Sequence, residues 1–170
     1  DSRGNLWVAN AWVPNRVKKY DTNGNWESGD LSSLISNPAF GLTELAIDRS
    51  GSVWIGSRRN GALVYNESGE RKRALITEAT KGSLPDLNVR SLAVDRNNRV
   101  WIGTQKGLVV FRNAGSIFEG DIYDAEPVIV DDDGFDGWYT SMILVDGKPA
   151  ISYLDWSYGD LKYVRALEAG

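Results

Sequence analysis

Hydrophobic and polar residues alternate along this chain in short runs bounded by Gly, Asn, Asp and Ser, and no stretch carries the three-to-four spacing of a long amphipathic helix. Such runs predict strands, and the strands recur. NLWVA, SVWIG and RVWIG place Trp7, Trp54 and Trp101 47 residues apart, and Asp1, Asp48 and Asp95 keep the same interval. Before the tryptophan strand stand TELAID (43–48), RSLAVD (90–95) and, more loosely, TSMILV (140–145). PAISY (149–153) supplies a further copy of the tryptophan strand. After it come RVKKY, GALVY, GLVVF and DLKYV, followed by the weaker runs RALITEA (73–79) and EPVIVD (126–131). A period of this size predicts a solenoid, propeller or array.

The turns repeat with the strands. Three residues after Asp1, Asp48 and Asp95 come Gly4, Gly51 and Asn98, residues that tolerate the left-handed backbone of a tight hairpin. Gly61 and Gly107 open the third strand, where a bulged hairpin favours glycine. Gly24, Gly69 and Gly115 each follow the aromatic end of that strand by four residues and predict a third shared turn. Within VWIG the tryptophan shares a strand face with the glycine two residues on, so Gly56 and Gly103 leave room for a close neighbour. The three tryptophans are therefore predicted to be core between sheets.

Four-stranded antiparallel meanders at this period are the pattern of β-propeller blades. The chain reads as an all-β propeller arc in one domain over 1–170, with blades at approximately 1–40, 41–86, 87–137 and 138–170. The first blade lacks its first strand and the last lacks its fourth, which leaves two complete and two partial blades. Closed propellers hold about 4–8 blades. With Asp1 falling inside a repeat, the expectation is a fragment of a larger ring whose remaining blades are its first partners.

Composition narrows the chemistry. A net charge of −4 argues against nucleic acid, which wants a basic stripe. Arg58–Arg59 and Arg71–Lys72–Arg73 read as solvated surface. There is no cysteine and no histidine, which removes thiolate sites, His-dependent triads and the commonest zinc ligand. No apolar run is long enough to be a transmembrane helix, and no motif asks for a cofactor.

The motif D-x-x-[GN]-x-x-W-[IV]-[GA] followed by G-L-x-x-[YF], fullest in DLNVRSLAVDRNNRVWIGTQKGLVVF (86–111), resembles the two-component regulator propeller repeat of bacterial sensor ectodomains. The run from 1 to about 131 is similar to the propeller part of the PorZ-type family of Bacteroidota type IX secretion components. The resemblance implies an extracytoplasmic, non-enzymatic binding or scaffold module, with a protein or a glycan or glycolipid as partner. One version is a type IX secretion accessory protein. Another is the periplasmic carbohydrate-sensing region of a hybrid two-component receptor, and a third is a glycan-active enzyme. Residues 138–164 look more like a different extracellular propeller repeat, with Ala150 where tryptophan is usual and a shorter turn at Asp146–Gly147.

Two features could carry chemistry. Asp131, Asp133 and Asp136 alternate as in an oxygen-rich calcium loop, but the twelve-residue pattern and its terminal Glu are missing, so a plain turn and no metal are expected. The D-x-x-G-x-x-W turns resemble the sialidase Asp box, itself a structural turn. Aromatic residues gather in loops that share one propeller face: Trp12 in one turn between second and third strands, Trp156 and Tyr158 in another, and Phe40 and Trp138 near connections between blades. Loops are normally polar. Trp12, Trp138, Trp156 and Tyr158 are accordingly the candidate binding residues, and the other reading is that the rings fold back as caps on the sheet edges.

Overall fold

The structure is a computed structural model describing residues 1–11, 17–31, 33–37, 39–131 and 136–165, with backbone alone at 131 and 136–140. Short strands form four antiparallel meanders, and the middle strands of the second and third are buried on both faces. The first sheet holds β1 (Leu6–Ala9), β2 (Val17–Tyr20) and β3 (Trp26–Gly29). The second holds β4 (Leu42–Ile47), β5 (Val53–Ser57), β6 (Ala62–Tyr65) and β7 (Lys72–Leu75). The third holds β8 (Val89–Val94), β9 (Val100–Thr104), β10 (Gly107–Phe111) and β11 (Pro127–Asp131). The fourth holds β12 (Asp136–Val145), β13 (Lys148–Asp155) and β14 (Asp160–Arg165). Among the described residues this is the expected arrangement of two four-stranded sheets flanked by two three-stranded ones. No helix among them is long and apolar enough to cross a membrane.

Trp54 and Trp101 sit on the second strands of their sheets and Trp7 on the first strand of its three-stranded sheet, and all three turn towards the next sheet. Trp54 and Phe111 belong to the cluster between the second and third sheets, with ring centroids 5.5 Å apart. Trp101 lies in the cluster that joins Leu108 and Val110 to Ile151 and Tyr153 of the fourth sheet. Trp7 packs against the cluster of Val17, Val53, Ile55, Leu63 and Tyr65 between the first two sheets. The expected uniform burial does not hold: Trp54 is 0% exposed and Trp101 8%, but Trp7 is only half-buried. Gly56 does leave room as expected, since a Cβ there would lie 2.8 Å from Val89 Cγ1 of the neighbouring sheet.

The aspartate before each tryptophan builds the hairpin. Asp48 Oδ1 accepts the backbone N–H groups of Ser50 and Ser52, and Oδ2 accepts the Trp54 indole N–H at 2.9 Å. Asp1 does the same for Arg3, Asn5 and Trp7, and Asp95 for Asn97, Arg99 and Trp101. The turn needs one left-handed residue, supplied by Gly4 (φ 82°), Gly51 (φ 80°) and Asn98 (φ 62°). Burial decides how these carboxylates titrate. Asp48 is pushed up by desolvation, against the hydrogen bond from Trp54, whereas exposed Asp21, in a similar turn, is held low by the Asn25 backbone N–H. In the fourth sheet the hairpin shrinks to Asp146 (φ 54°) and Gly147 (φ 73°), a two-residue turn of type I′ sign.

Neighbouring sheets are also tied along their first strands. Thr43 Oγ1 donates to the Val89 carbonyl, and the Leu92 N–H donates to Glu44 Oε2 at 2.7 Å. The second bond occupies a donor on β8 that the β8–β9 ladder does not use, which blunts an otherwise open edge.

One connection departs from the repeat. Gly115 does not form the tight turn of Gly24 and Gly69; it lies in a 3-10 turn, Ala114–Ser116, inside a long connection from β10 to β11. A second 3-10 turn, Ile122–Ala125, is closed by reciprocal capping between Asp121 and Asp124. This insert buries Ile117, Ile122 and Ala125 in the cluster around Trp54. Arg71 and Lys72 are exposed, as the solvated-surface reading has it, and Arg73 is half-buried. Arg71 stands 5.5 Å from the Phe118 ring, Arg73 donates to the Gly120 carbonyl and Lys72 to the Asp30 carbonyl.

Candidate functional site

The turns from second to third strand and the connections between sheets meet on one side of the arc. One backbone bond there ties the second sheet to the connection that enters the third, and two more fix the turns on either side. Gly61 N–H donates to the Leu87 carbonyl, Gln105 N–H to the Asn88 carbonyl, and Ser57 N–H to the Gly61 carbonyl. The connection after β7 is folded on itself by Ile76 N–H to Lys81 O and Leu84 N–H to Ile76 O. Asp86 Oδ1 then accepts the Asn88 backbone N–H at 2.7 Å, which holds the Asp86 carboxylate in place.

Between these elements lies a cavity of about 380 Å³ lined by Arg59, Thr77, Asp86, Leu87, Asn88 and Gln105. Asn88 Nδ2 donates to Gln105 Oε1 at 2.7 Å, while Asn88 Oδ1 is buried with no hydrogen-bond partner among the described residues. The Arg59 guanidinium stands 4.9 Å from the centre of the Phe40 ring. That contact orients it, where the sequence suggested a free surface charge. A carboxylate, amides, a guanidinium, a hydroxyl and one leucine suit a small polar ligand with many hydroxyl or amide groups better than an apolar one.

Trp156 and Tyr158 occupy the same topological position in the fourth sheet, 61% and 81% exposed. Their turn is built by buried Asp155, whose Oδ1 accepts the Ser157 and Tyr158 N–H groups and whose Oδ2 pairs with Lys162 at 3.1 Å. Neither ring is a buried cap. Trp12 lies outside the described residues. Trp138 is placed on β12 opposite Leu154, but its side chain lies outside the described residues. Asp133 and the side chains of Asp131 and Asp136 do so too, and among the described residues no group of acids is gathered as a metal site. The structure thus brings together Arg59, Asp86, Asn88 and Gln105, which sequence reasoning missed. Their only local signal is polarity, and polarity is what any loop shows.

The two-component regulator propeller family matches residues 83–106, which span β8, β9 and the turn after it. No curated protein matches the chain by sequence. Among solved structures, it is similar to PorZ, described as a bacterial surface component of the type IX secretion system of Porphyromonas gingivalis, with a TM-score of 0.66 and 19% identity over 96% of this chain. It is also similar to a Bacteroides thetaiotaomicron protein described as the extracellular domain of a hybrid two-component system, with a TM-score of 0.63 and 16% identity over 99% of this chain. The chain spans 25% and 22% of the lengths of those two chains. Repeat and architecture together make this an all-β propeller arc that carries a two-component regulator propeller repeat and resembles PorZ in fold.

Proposed function

We propose that the chain is a non-catalytic binding and scaffolding module of an exported bacterial protein, working outside the cytoplasm. Its ligand-facing side is the one that carries Arg59, Asp86, Asn88, Gln105, Trp156 and Tyr158. The observation that carries this reading is the polar cavity at the junction of the second and third sheets, walled by Arg59, Thr77, Asp86, Asn88 and Gln105. Similarity to PorZ supports a role as a type IX secretion accessory that docks a protein or glycolipid. A second reading, carbohydrate sensing in a hybrid receptor, is favoured by the hydroxyl-seeking chemistry of the cavity and by similarity to the sensor ectodomain. A catalytic reading has less support, because Asp48, an acid raised by burial, is occupied by the turn and by Trp54.

The outward faces of the end sheets support the scaffolding part. Leu6, Val8 and Tyr20 on the first sheet stand in the register that Val53, Ile55 and Tyr65 occupy on the second, yet they are exposed at 57%, 37% and 38%. Ile143, Leu161 and Tyr163 are exposed on the fourth sheet at 62%, 76% and 62%. Further blades are the occupants that such faces fit.

Titration calorimetry against a panel of neutral and acidic oligosaccharides and lipopolysaccharide fragments tests the ligand-facing side. A ligand that saturates the wild-type chain should bind at least about tenfold more weakly to Asp86→Ala and Gln105→Ala, as for loss of charge-assisted and amide hydrogen bonds. Binding unchanged in both variants would place the ligand elsewhere and end this reading.

A further inference from the structure

We propose that two copies of this chain associate head to tail, the first sheet of each seated on the fourth sheet of the other. This rests on the scaffolding part of the reading above and names the blades that cover the end faces as those of a second copy. The inner junctions show what such a contact requires. Each sheet has one face that offers side chains to the next sheet and an opposite face that receives them. The offering row of the second sheet, in register across its four strands, is Ala46, Trp54, Val64 and Arg73. On the third sheet it is Ala93, Trp101, Val110 and Val128.

The receiving rows lie on the other faces. They are Val53, Tyr65 and Lys72 on the second sheet, and Val100, Phe111 and Pro127 on the third. Trp54 meets Phe111 with ring centres 5.5 Å apart. Trp7, offered by the first sheet, shares the walls of one cleft with Tyr65 and Lys72 of the second. At these junctions the large ring comes from the offering sheet, and at the first of them a lysine stands across from it.

The two end faces depart from that rule in opposite senses. The offering row of the fourth sheet is Ile143, Ala150 and Arg165, so an alanine stands where Trp54 and Trp101 stand. The receiving row of the first sheet is Leu6, Tyr20 and Trp26. Tyr20 takes the place of Phe111, and a tryptophan takes the place of Lys72. Trp26 is 56% exposed and packs on Tyr20 with ring centres 4.9 Å apart. The ring that the fourth sheet does not offer is thus carried by the face of the first.

Seated on a second copy, Trp26 falls where Lys72 falls beside Trp7, across from Ala150. Ala150 is buried, so the ring meets the exposed side chains around it, Ile143, Tyr163 and Arg165. Arg165 is held by Asp146 at 3.0 Å and brings a cation to the ring, as Lys19 does 5.8 Å from the Trp7 ring centre. Aromatic side chains bury about 150–250 Å² each, so the exposed parts of Tyr20, Trp26 and Tyr163 bring about 250–400 Å² to one junction. Leu6, Val8, Ile143 and Leu161 add to it. A closed pair forms the junction twice, which brings the total to the roughly 1,000 Å² that a specific interface needs. Two copies also bring eight sheets, within the about 4–8 blades of closed propellers, and a head-to-tail contact that closes gives a ring in place of a filament.

Sedimentation velocity of the wild-type chain at micromolar concentration should show one species of twice the chain's mass. Trp26→Lys, at an exposed position, should weaken association at least about thirtyfold, as for loss of a central aromatic anchor. Ala150→Trp should weaken it too, because the added ring meets Trp26; a merely sticky surface would associate more tightly with the extra ring. The double variant Trp26→Lys, Ala150→Trp rebuilds the pairing of Lys72 with Trp7 and should recover the dimer, which also shows that the fold accepts the change at 150. The proposal is overturned if the wild type is monomeric, if Trp26→Lys associates as the wild type does, if Ala150→Trp associates as tightly or more tightly, or if the double variant is no better than the single ones. Each of those results leaves the ligand-facing side untouched, because Arg59, Asp86, Asn88 and Gln105 line the junction of the second and third sheets and lie on neither end face.

Discussion

Replacing each repeat tryptophan by phenylalanine tests the aspartate–tryptophan lock at three depths. The change keeps most of the ring volume and deletes the indole N–H that bonds Asp1, Asp48 or Asp95. At Trp54, with no exposure, the Asp48 carboxylate loses a donor in a desolvated place, and a cost of about 2–3 kcal/mol follows for a charge-assisted bond. At Trp101 the cost should be similar or slightly smaller. At half-buried Trp7, water can replace the lost donor, and about 0.5–1 kcal/mol is expected. Urea denaturation followed by far-UV circular dichroism measures these as shifts in midpoint at constant slope.

The Trp54 cost should also depend on pH with a definite sign. Burial already raises Asp48, and removing the indole donor, which opposes that rise, raises it further. Between the two folded-state pKa values the native variant binds more protons than the native wild type. The destabilisation is therefore fully present above both values and shrinks as pH falls towards the ordinary carboxylate range. Equal costs at the three positions, the largest cost at Trp7, or a Trp54 cost that grows on acidification would refute this account of the lock.

Gly29→Ala should destabilise by about 1–3 kcal/mol, the usual cost of overpacking, because its Cβ meets Val17; a neutral result in urea would show that Val17 has room to move. Chelator or added calcium should leave the melting temperature unchanged, since the Asp131–Asp136 segment lacks a full ligand set; a rise with calcium would contradict the plain-turn reading.

What could be read from the sequence is what is local. The Asp48 turn closes within six residues, from the aspartate through Ser50 and Ser52 to Trp54, so its chemistry repeats wherever the letters repeat. Strand order follows for the same reason, each hairpin being closed by neighbours in the chain. The complete burial of Trp54 was not legible, because the insert after β10 adds Ile117 and Ile122 to its cluster, whereas Trp101 is covered by strand residues alone. Gly115 keeps the spacing of Gly24 and Gly69 yet lies inside the insert that covers Trp54. Likewise, nothing around Arg59 announces Phe40 beneath it, and nothing near Asn88 announces Gln105, seventeen residues away. Trp156 and Tyr158 were legible as loop aromatics, since a short turn anchored on Asp155 leaves its rings little to fold against.

Nuclear Overhauser contact between the Trp54 indole and the Phe111 ring tests most directly the claim that successive repeats stack as blades. These rings belong to different sheets, 57 positions apart in the sequence, and their centres lie 5.5 Å from one another. Strong cross-peaks between the two rings are predicted, alongside the in-sheet contacts of Trp54 with Ala46 and Val64. In-sheet cross-peaks without the Trp54–Phe111 contact would mean that the meanders form but do not stack, and the propeller account would be contradicted.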